Sequence, residues 1–266
     1  MRITCIQMDV AFARPEENFR QAEALVRQAA KEERPDVILL PELWNTGFFP
    51  KEGLDELADP DGQRTAALCG GLARELGVNL VAGSVACLRA GKRYNTAMAF
   101  NRQGSLVGSY DKTHLFSPME EDVYFQAGDH LAVFPLDDTL CGLLICYDLR
   151  FPELTRTLAL QGVQVLFLVA QWPVQRAGIC GYYMRPGLWK TRCLWPAATP
   201  AARMTLVPGL AATAAWWTPG ARYWLGPERP PASSAGIAIC PSPPASGRGS
   251  TCSGIAGPTS IIAPDL

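Results

Sequence analysis

The sequence predicts an α/β fold in which short buried strands alternate with amphipathic helices. An apolar, β-branched run over Ile3–Val10 predicts the first strand. Apolar positions at spacings of three and four over Pro15–Glu33 predict a helix, with a proline suited to its first turn. Asp36–Leu40 is then a second short strand. This alternation is typical of a sheet with helices packed on its faces.

The remaining elements of the first 176 residues follow the same pattern. Gly62–Leu76 predicts a second helix, with Asp61 as its N-cap and Gly77 at its C-terminal end. A third helix is predicted through Pro152–Leu160. Apolar runs bounded by turns predict five further strands, at residues 79–84, 93–101, 105–110, 140–145 and 163–170.

Composition restricts the class of protein. The chain has 266 residues, of which 48% are hydrophobic and 18% charged, so it can bury a core and is not intrinsically disordered. The net charge of −1 gives no electrostatic support for binding nucleic acid. The longest apolar run, near Val165–Ala170, is too short to span a membrane. With no signal-peptide pattern at the N-terminus, we expect a cytoplasmic protein whose nine cysteines are free thiols.

The composition changes abruptly after residue 176. Residues 1–176 carry 40 of the charged side chains, whereas residues 177–266 carry nine. Thirteen of the 22 prolines and five of the seven tryptophans also fall in the last third. We therefore expect one α/β domain over residues 1–176, followed by a Pro/Ala/Gly-rich tail of aberrant composition.

Three residues with catalytic potential follow predicted strands. Glu42, Lys112 and Cys146 follow the strands predicted at residues 37–40, 105–110 and 140–145, and open α/β sheets bind ligands beyond the carboxyl ends of their strands. A thiolate can attack a carbonyl carbon, a carboxylate can move its proton, and an ammonium can stabilise the oxyanion. Taken singly, each residue also fits a structural position, as a buried thiol, a loop carboxylate or a surface amine.

The segments around these residues resemble the signature segments of the nitrilase (carbon–nitrogen hydrolase) superfamily. They read LPELWNTGF at residues 40–48, YDKTHLF at 110–116 and CYDLRFPE at 146–153, in the family's order and spacing. The resemblance covers about residues 1–175. WNTG at 44–47 and AQWP at 170–173 look most like the branch that includes ω-amidases and deaminated-glutathione amidase. The resemblance implies an α-β-β-α sandwich.

The resemblance also implies residue roles. Cys146 would be the nucleophile, Glu42 the general base and Lys112 the cation that stabilises the oxyanion, with the Tyr147 backbone N–H as a second donor.

The family has a second glutamate after the lysine segment. Glu121 keeps the family's spacing to Phe125 and Gly128, and Glu120 is the alternative. Arg150 is the candidate for binding a substrate carboxylate, although structural support is an alternative role for it.

The implied function is hydrolysis of the amide of a small carboxylic acid, releasing ammonia through a cysteine thioester. It needs no metal or cofactor, and its partner is a small-molecule amide rather than nucleic acid or membrane. The family also implies a homodimer or higher oligomer. Nitrile and carbamoyl hydrolysis use the same residues. Two other hypotheses remain: a catalytically inert homologue, and a binding protein that uses its Pro-rich tail.

The resemblance ends after the AQWP segment. A reading frame that begins at the third base of each codon permits Ala-Val-Glu-Asn-Gln over residues 187–197, and Val-Asp-Pro-Trp-Gly over residues 215–225. The family has similar strings in this order. We interpret the C-terminal third as frame-shifted near residues 176–186, and we expect residues 177–266 as written to be non-native or disordered.

Overall fold

A computed structural model describes residues 1–48 and 50–171. It also describes the backbone of four short strands: β10 (Ala197–Ala198), β11 (Ala215–Trp216), β12 (Trp224–Leu225) and β13 (Gly236–Cys240). Apart from these strands, the expectations for the tail at 177–266 lie outside the described residues. No helix in the described part of the chain is both long and apolar enough to cross a membrane.

The larger sheet carries the N-terminal half of the chain. Its strand order is β13-β1-β2-β4-β5-β6, with β3 paired to β4. Strands β1, β2 and β4 run parallel, and β5 and β6 follow as antiparallel neighbours. The strands are β1 (Ile3–Gln7), β2 (Val37–Leu39), β3 (Asp59–Pro60), β4 (Asn79–Arg89), β5 (Lys92–Phe100) and β6 (Leu106–Asp111).

Two long helices cover the outer face of this sheet. Helix α1 (Pro15–Glu33) and helix α3 (Gln63–Leu76) bury their apolar stripes against it in one continuous core. The bounds of α1 are those that its periodicity predicts. The short helix α2 (Leu54–Leu57) precedes α3 and was not predicted.

The expected N-cap of α3 is wrong. Gly62, not Asp61, occupies the N-cap position, and as a glycine it has no side chain with which to cap the helix. The carboxylate of Asp59 instead accepts hydrogen bonds from the backbone N–H groups of Arg64 and Thr65 at 3.0 and 2.8 Å. Asp61 has a φ of +50°, a turn conformation that a short polar residue tolerates. Gly77 ends the helix as predicted.

The smaller sheet packs against the inner face of the larger one. Its order is β10-β9-β8-β7, with β7 at Val133–Leu136, β8 at Thr139–Ile145 and β9 at Val165–Val169. Helix α5 (Pro152–Leu160) packs against this sheet through Leu158. The main core lies between the sheets. The result is the expected α-β-β-α sandwich.

Alternation along β2 shows how one strand contributes to two cores. Val37 and Leu39 face the core between the sheets, whereas Ile38 and Leu40 face the helices. Side chains of a strand alternate between its faces, so a strand covered on both sides reads as a continuous apolar run. This accounts for the apolar segments from which the strands were predicted.

Candidate active site

The turn that carries Glu42 is fixed by a close backbone contact. Gly83 has a φ of +62° at a bulge in β4, and a Cβ there would collide with the carbonyl oxygen of Pro41. Ser84 N–H donates to that same oxygen at 3.0 Å, and the Ser84 hydroxyl accepts from Leu43 N–H at 3.1 Å. The glycine therefore allows β4 to hold the residues on both sides of Glu42.

The structure brings Glu42 and Lys112 together in the interior. Lys112 follows β6 directly, and both side chains are fully buried. Lys112 Nζ donates to Glu42 Oε1 at 2.9 Å and to the two carboxylate oxygens of Glu121 at 3.0 and 2.8 Å. Two carboxylates and one ammonium give this cluster a formal charge of −1.

Of the two candidate glutamates, Glu121 lies in this cluster. It opens the short helix α4 (Glu121–Tyr124), is fully buried, and also accepts a hydrogen bond from Phe116 N–H at 2.7 Å. Glu120 lies on the surface and pairs with Lys51. One step along the chain thus separates a buried carboxylate from an exposed one.

Cys146 lies where β8 turns sharply into a short helical turn. It has a φ of +46°, which is a strained backbone conformation for a non-glycine residue. Strained conformations of this kind cluster at functional sites. Asp148 supports the turn, because its buried carboxylate accepts hydrogen bonds from Ile145 N–H and His114 N–H at 3.0 and 2.9 Å. The Tyr110 hydroxyl donates to the same carboxylate at 2.8 Å.

The electrostatics of the cluster couple the thiol to the carboxylates. Burial, followed by the nearby Glu42 carboxylate, raises the pKa of Cys146 well above its usual value. Burial is also the largest cause that raises the pKa of Glu42, against the attraction of Lys112. Burial opposes the charge on Lys112, but Glu42 and Glu121 outweigh it, so the pKa of Lys112 is raised well above its usual value. The arrangement can therefore hold a protonated thiol beside a carboxylate that is more basic than usual.

Two further residues contact the cluster and were not singled out from the sequence. Asn95, in β5, donates from its side-chain amide to both Glu42 and Glu121. Gln171 lies two residues beyond β9; its backbone N–H donates to Glu42 Oε2 at 2.7 Å, and its side chain donates to the Glu42 carbonyl at 2.8 Å. Gln171 lies in the AQWP segment at residues 170–173 that resembles the family, whereas no motif or pattern in the surrounding sequence indicated a role for Asn95.

The two expected binding residues lie together beside the turn of Cys146. The Arg150 guanidinium lies 5.1 Å from the centre of the Tyr147 ring, and that ring packs edge-on against Phe116 and Phe151. Across residues 1–48 and 50–171, no group of three or more His, Cys, Asp and Glu side chains could hold a metal ion. Cys69, Cys87 and Cys141 are buried free thiols, as expected, and Cys5 is also buried.

The chain is thus an α-β-β-α sandwich in which a buried cluster of Glu42, Lys112 and Glu121 lies beside Cys146. The family model for carbon-nitrogen hydrolases matches residues 2–205, and the chain belongs to that family. The resemblance seen in the three sequence segments is thereby confirmed.

Curated relatives match about two thirds of the chain. It is 41% identical over 174 residues to a 2-oxoglutaramate amidase of Bacillus subtilis, a match that covers 65% of this chain and 66% of that protein. It is 34% identical over 176 residues to the omega-amidase of Mus musculus, covering 62% and 61% of the two chains. The chain thus spans slightly less than two thirds of the length of these relatives.

Solved structures share the fold. A nitrilase-superfamily protein of Saccharomyces cerevisiae superposes with a TM-score of 0.80 at 19% identity, covering 90% of this chain and 89% of the other. A carbon–nitrogen hydrolase superfamily protein of Xanthomonas campestris gives 0.78 at 23% identity, covering 91% of both. At these identities the likeness concerns the fold alone.

Proposed function

We propose that the chain hydrolyses the amide of a small carboxylic acid and releases ammonia, with Cys146 as the nucleophile. The observation that carries this proposal is the buried cluster of Glu42, Lys112 and Glu121 next to Cys146. Family membership supports it, as do two relatives named as amidases, one of them for 2-oxoglutaramate.

In the first half of the reaction, the Cys146 sulfur attacks the amide carbonyl while its proton moves to Glu42. The raised pKa of Glu42 favours this transfer, because a carboxylate whose pKa lies closer to that of the thiol accepts the proton with a smaller free-energy cost. Lys112 and the Tyr147 backbone N–H stabilise the oxyanion. Protonated Glu42 then returns the proton to the departing nitrogen, and ammonia leaves a thioester on Cys146.

In the second half, water replaces ammonia. Glu42 takes a proton from the water molecule while the water oxygen attacks the thioester carbonyl. The C–S bond then breaks. The proton returns to the sulfur, the acid leaves, and the resting thiol is restored. Glu121 keeps Lys112 in place through both halves. Arg150 binds the carboxylate at the other end of the substrate.

Ammonia release from 2-oxoglutaramate tests the proposal. Cys146→Ala is expected to abolish release, whereas Cys141→Ala is the matched control, because Cys141 is a buried thiol whose pKa burial raises to about 12. Ammonia release that survives Cys146→Ala would refute the mechanism. A parent that releases no ammonia and shows no selective alkylation of Cys146 would favour the inert homologue.

A nitrile is the second candidate substrate. One relative, 36% identical over 171 residues, is named as a nitrilase of Pyrococcus abyssi. Comparing ammonia release from an amide and from the nitrile of the same acid separates the two. We expect the amide to be hydrolysed faster, and a faster nitrile reaction would reverse that assignment.

A further inference from the structure

Asn95 joins the two carboxylates of the cluster. Its side chain is fully buried, and its Nδ2 donates to Glu42 Oε1 and to Glu121 Oε1, each at 3.0 Å. The same two oxygens accept from Lys112 Nζ at 2.9 and 3.0 Å. Both carboxylates are therefore held between one charged nitrogen and one neutral nitrogen.

The backbone of Asn95 fixes the third member of the cluster. Lys112 N–H donates to the Asn95 carbonyl at 2.9 Å, where β6 ends beside β5. Asn95 thus contacts Glu42, Lys112 and Glu121 at once. None of these is its neighbour in the sequence, so the contact depends on strand pairing.

We propose that Asn95 is a positioning residue of the reaction, which holds Glu42 and Glu121 side by side as anions and keeps Glu42 directed at Cys146. The inference rests on the proposed function and deepens it. Hydrogen bonds to the charged form of a carboxyl stabilise that form. A neutral donor does so without cancelling the net charge of the cluster, whereas a second cation would leave Glu42 a weaker base.

The other end of the Asn95 amide supports this assignment. Asn95 Oδ1 is buried and has no hydrogen-bond partner among the residues that the structure describes. An unpaired buried acceptor is unfavourable, so the useful hydrogen bonds of this side chain are its two donors. The reverse orientation of the amide would direct an oxygen at two carboxylates, which fixes the assignment of its atoms.

Asn95→Ala tests the proposal, and Asn79→Ala is the matched control. Asn79 is also fully buried, and its Nδ2 donates to Asp137 Oδ2 at 2.8 Å and to the Asp36 carbonyl at 3.1 Å. Its Oδ1 likewise has no partner in the described part of the chain. Asn79 starts β4, away from the cluster at the carboxyl ends of the strands. A general effect of losing a buried amide appears in both variants, whereas a positioning effect appears only in Asn95→Ala.

The primary measurement is the rate at which iodoacetamide alkylates Cys146 as a function of pH. Mass spectrometric fragment ions separate Cys146 from Cys141. Loss of the Asn95 donors raises the pKa of Glu42, so the acid limb of the alkylation profile should move up by about one pH unit in Asn95→Ala. Asn79→Ala should keep the parent profile. An unmoved limb in Asn95→Ala, or an equal shift in both variants, would overturn the proposal.

Ammonia release provides the second readout. In Asn95→Ala we expect kcat to fall by about ten- to a hundredfold with KM changed less than about threefold, because misplacement affects chemistry more than binding. Alkylation needs no turnover, so the two proposals fail separately. If the parent releases no ammonia but the alkylation profile still shifts in Asn95→Ala, the proposed amidase activity is refuted. The role of Asn95 in positioning Glu42 beside Cys146 is then retained.

A measurement on the unsubstituted protein covers the case in which Asn95→Ala does not fold. The NMR resonances of the Asn95 side-chain amide should shift with pH at the same midpoint as the acid limb of Cys146 alkylation. An amide resonance that does not respond over that range would overturn the proposal.

Discussion

Replacing Lys112 by methionine removes the only cation of the described cluster while keeping an aliphatic chain of similar length. Glu42 and Glu121 stay buried and lose three contacts to Nζ, at 2.8, 2.9 and 3.0 Å. Removing one partner of a buried ion pair typically costs about 3–5 kcal/mol, because the remaining charge is left uncompensated. We expect Lys112→Met to lose stability of this size.

Thermal unfolding measures this loss. For a protein of this size, 1 kcal/mol corresponds to about 2–4 °C in Tm, so Lys112→Met should unfold about 6–20 °C below the parent at neutral pH. Lys51→Met is the matched control. Lys51 pairs with Glu120 on the surface, and exposed ion pairs contribute little, so its Tm should stay at the parent value.

The deficit should also depend on pH. Without Lys112, the pKa of Glu42 rises further in the folded state, because burial and the facing Glu121 carboxylate are no longer opposed by the ammonium. A group whose pKa is higher in the folded state loses stability as pH rises from its unfolded pKa, about 4.3 for Glu, through its folded pKa. The loss of stability in Lys112→Met should therefore be smaller near about pH 5 than at pH 8. A deficit equal to that of Lys51→Met, or one that grows as pH falls, would refute this reasoning.

Three further predictions concern other parts of the chain. Glu121→Gln should reduce ammonia release by at least about a hundredfold because it loosens Lys112, while Glu120→Gln should leave it unchanged; equal rates would contradict the choice of glutamate. Asp59→Ala should lower the free energy of unfolding by about 1–2 kcal/mol through loss of the α3 cap, while Asp61→Asn should have little effect in urea denaturation. Resequencing codons 170–266 should reveal a one- or two-base change near residues 176–186 that restores Glu-Asn-Gln and Asp-Pro-Trp-Gly; an unchanged gene would refute an error in the sequence as written and leave the frame shift only as an event in the history of the gene.

Long periodic elements could be predicted from sequence, and irregular ones could not. Helices α1 and α5 have the predicted bounds, since each begins at a proline and carries an apolar stripe. Strand β4 was predicted to end at Ser84 but continues to Arg89, because Gly83 forms a bulge where a strand end was expected. Strand β7 was missed because it contains Pro135, which an edge strand tolerates.

The sequence by itself predicted that Glu42, Lys112 and Cys146 follow strands, and their flanking segments identified the family. Each of these signals lies within a few neighbouring residues, where strand periodicity and turn residues are encoded. Only the tertiary structure placed Glu121, rather than Glu120, beside Lys112 and brought Asn95 and Gln171 to Glu42. Asn95 and Gln171 lie 53 and 129 residues from Glu42 along the chain. Such hydrogen bonds exist only once the strands have paired, because pairing rather than local preference places distant donors on one buried carboxylate.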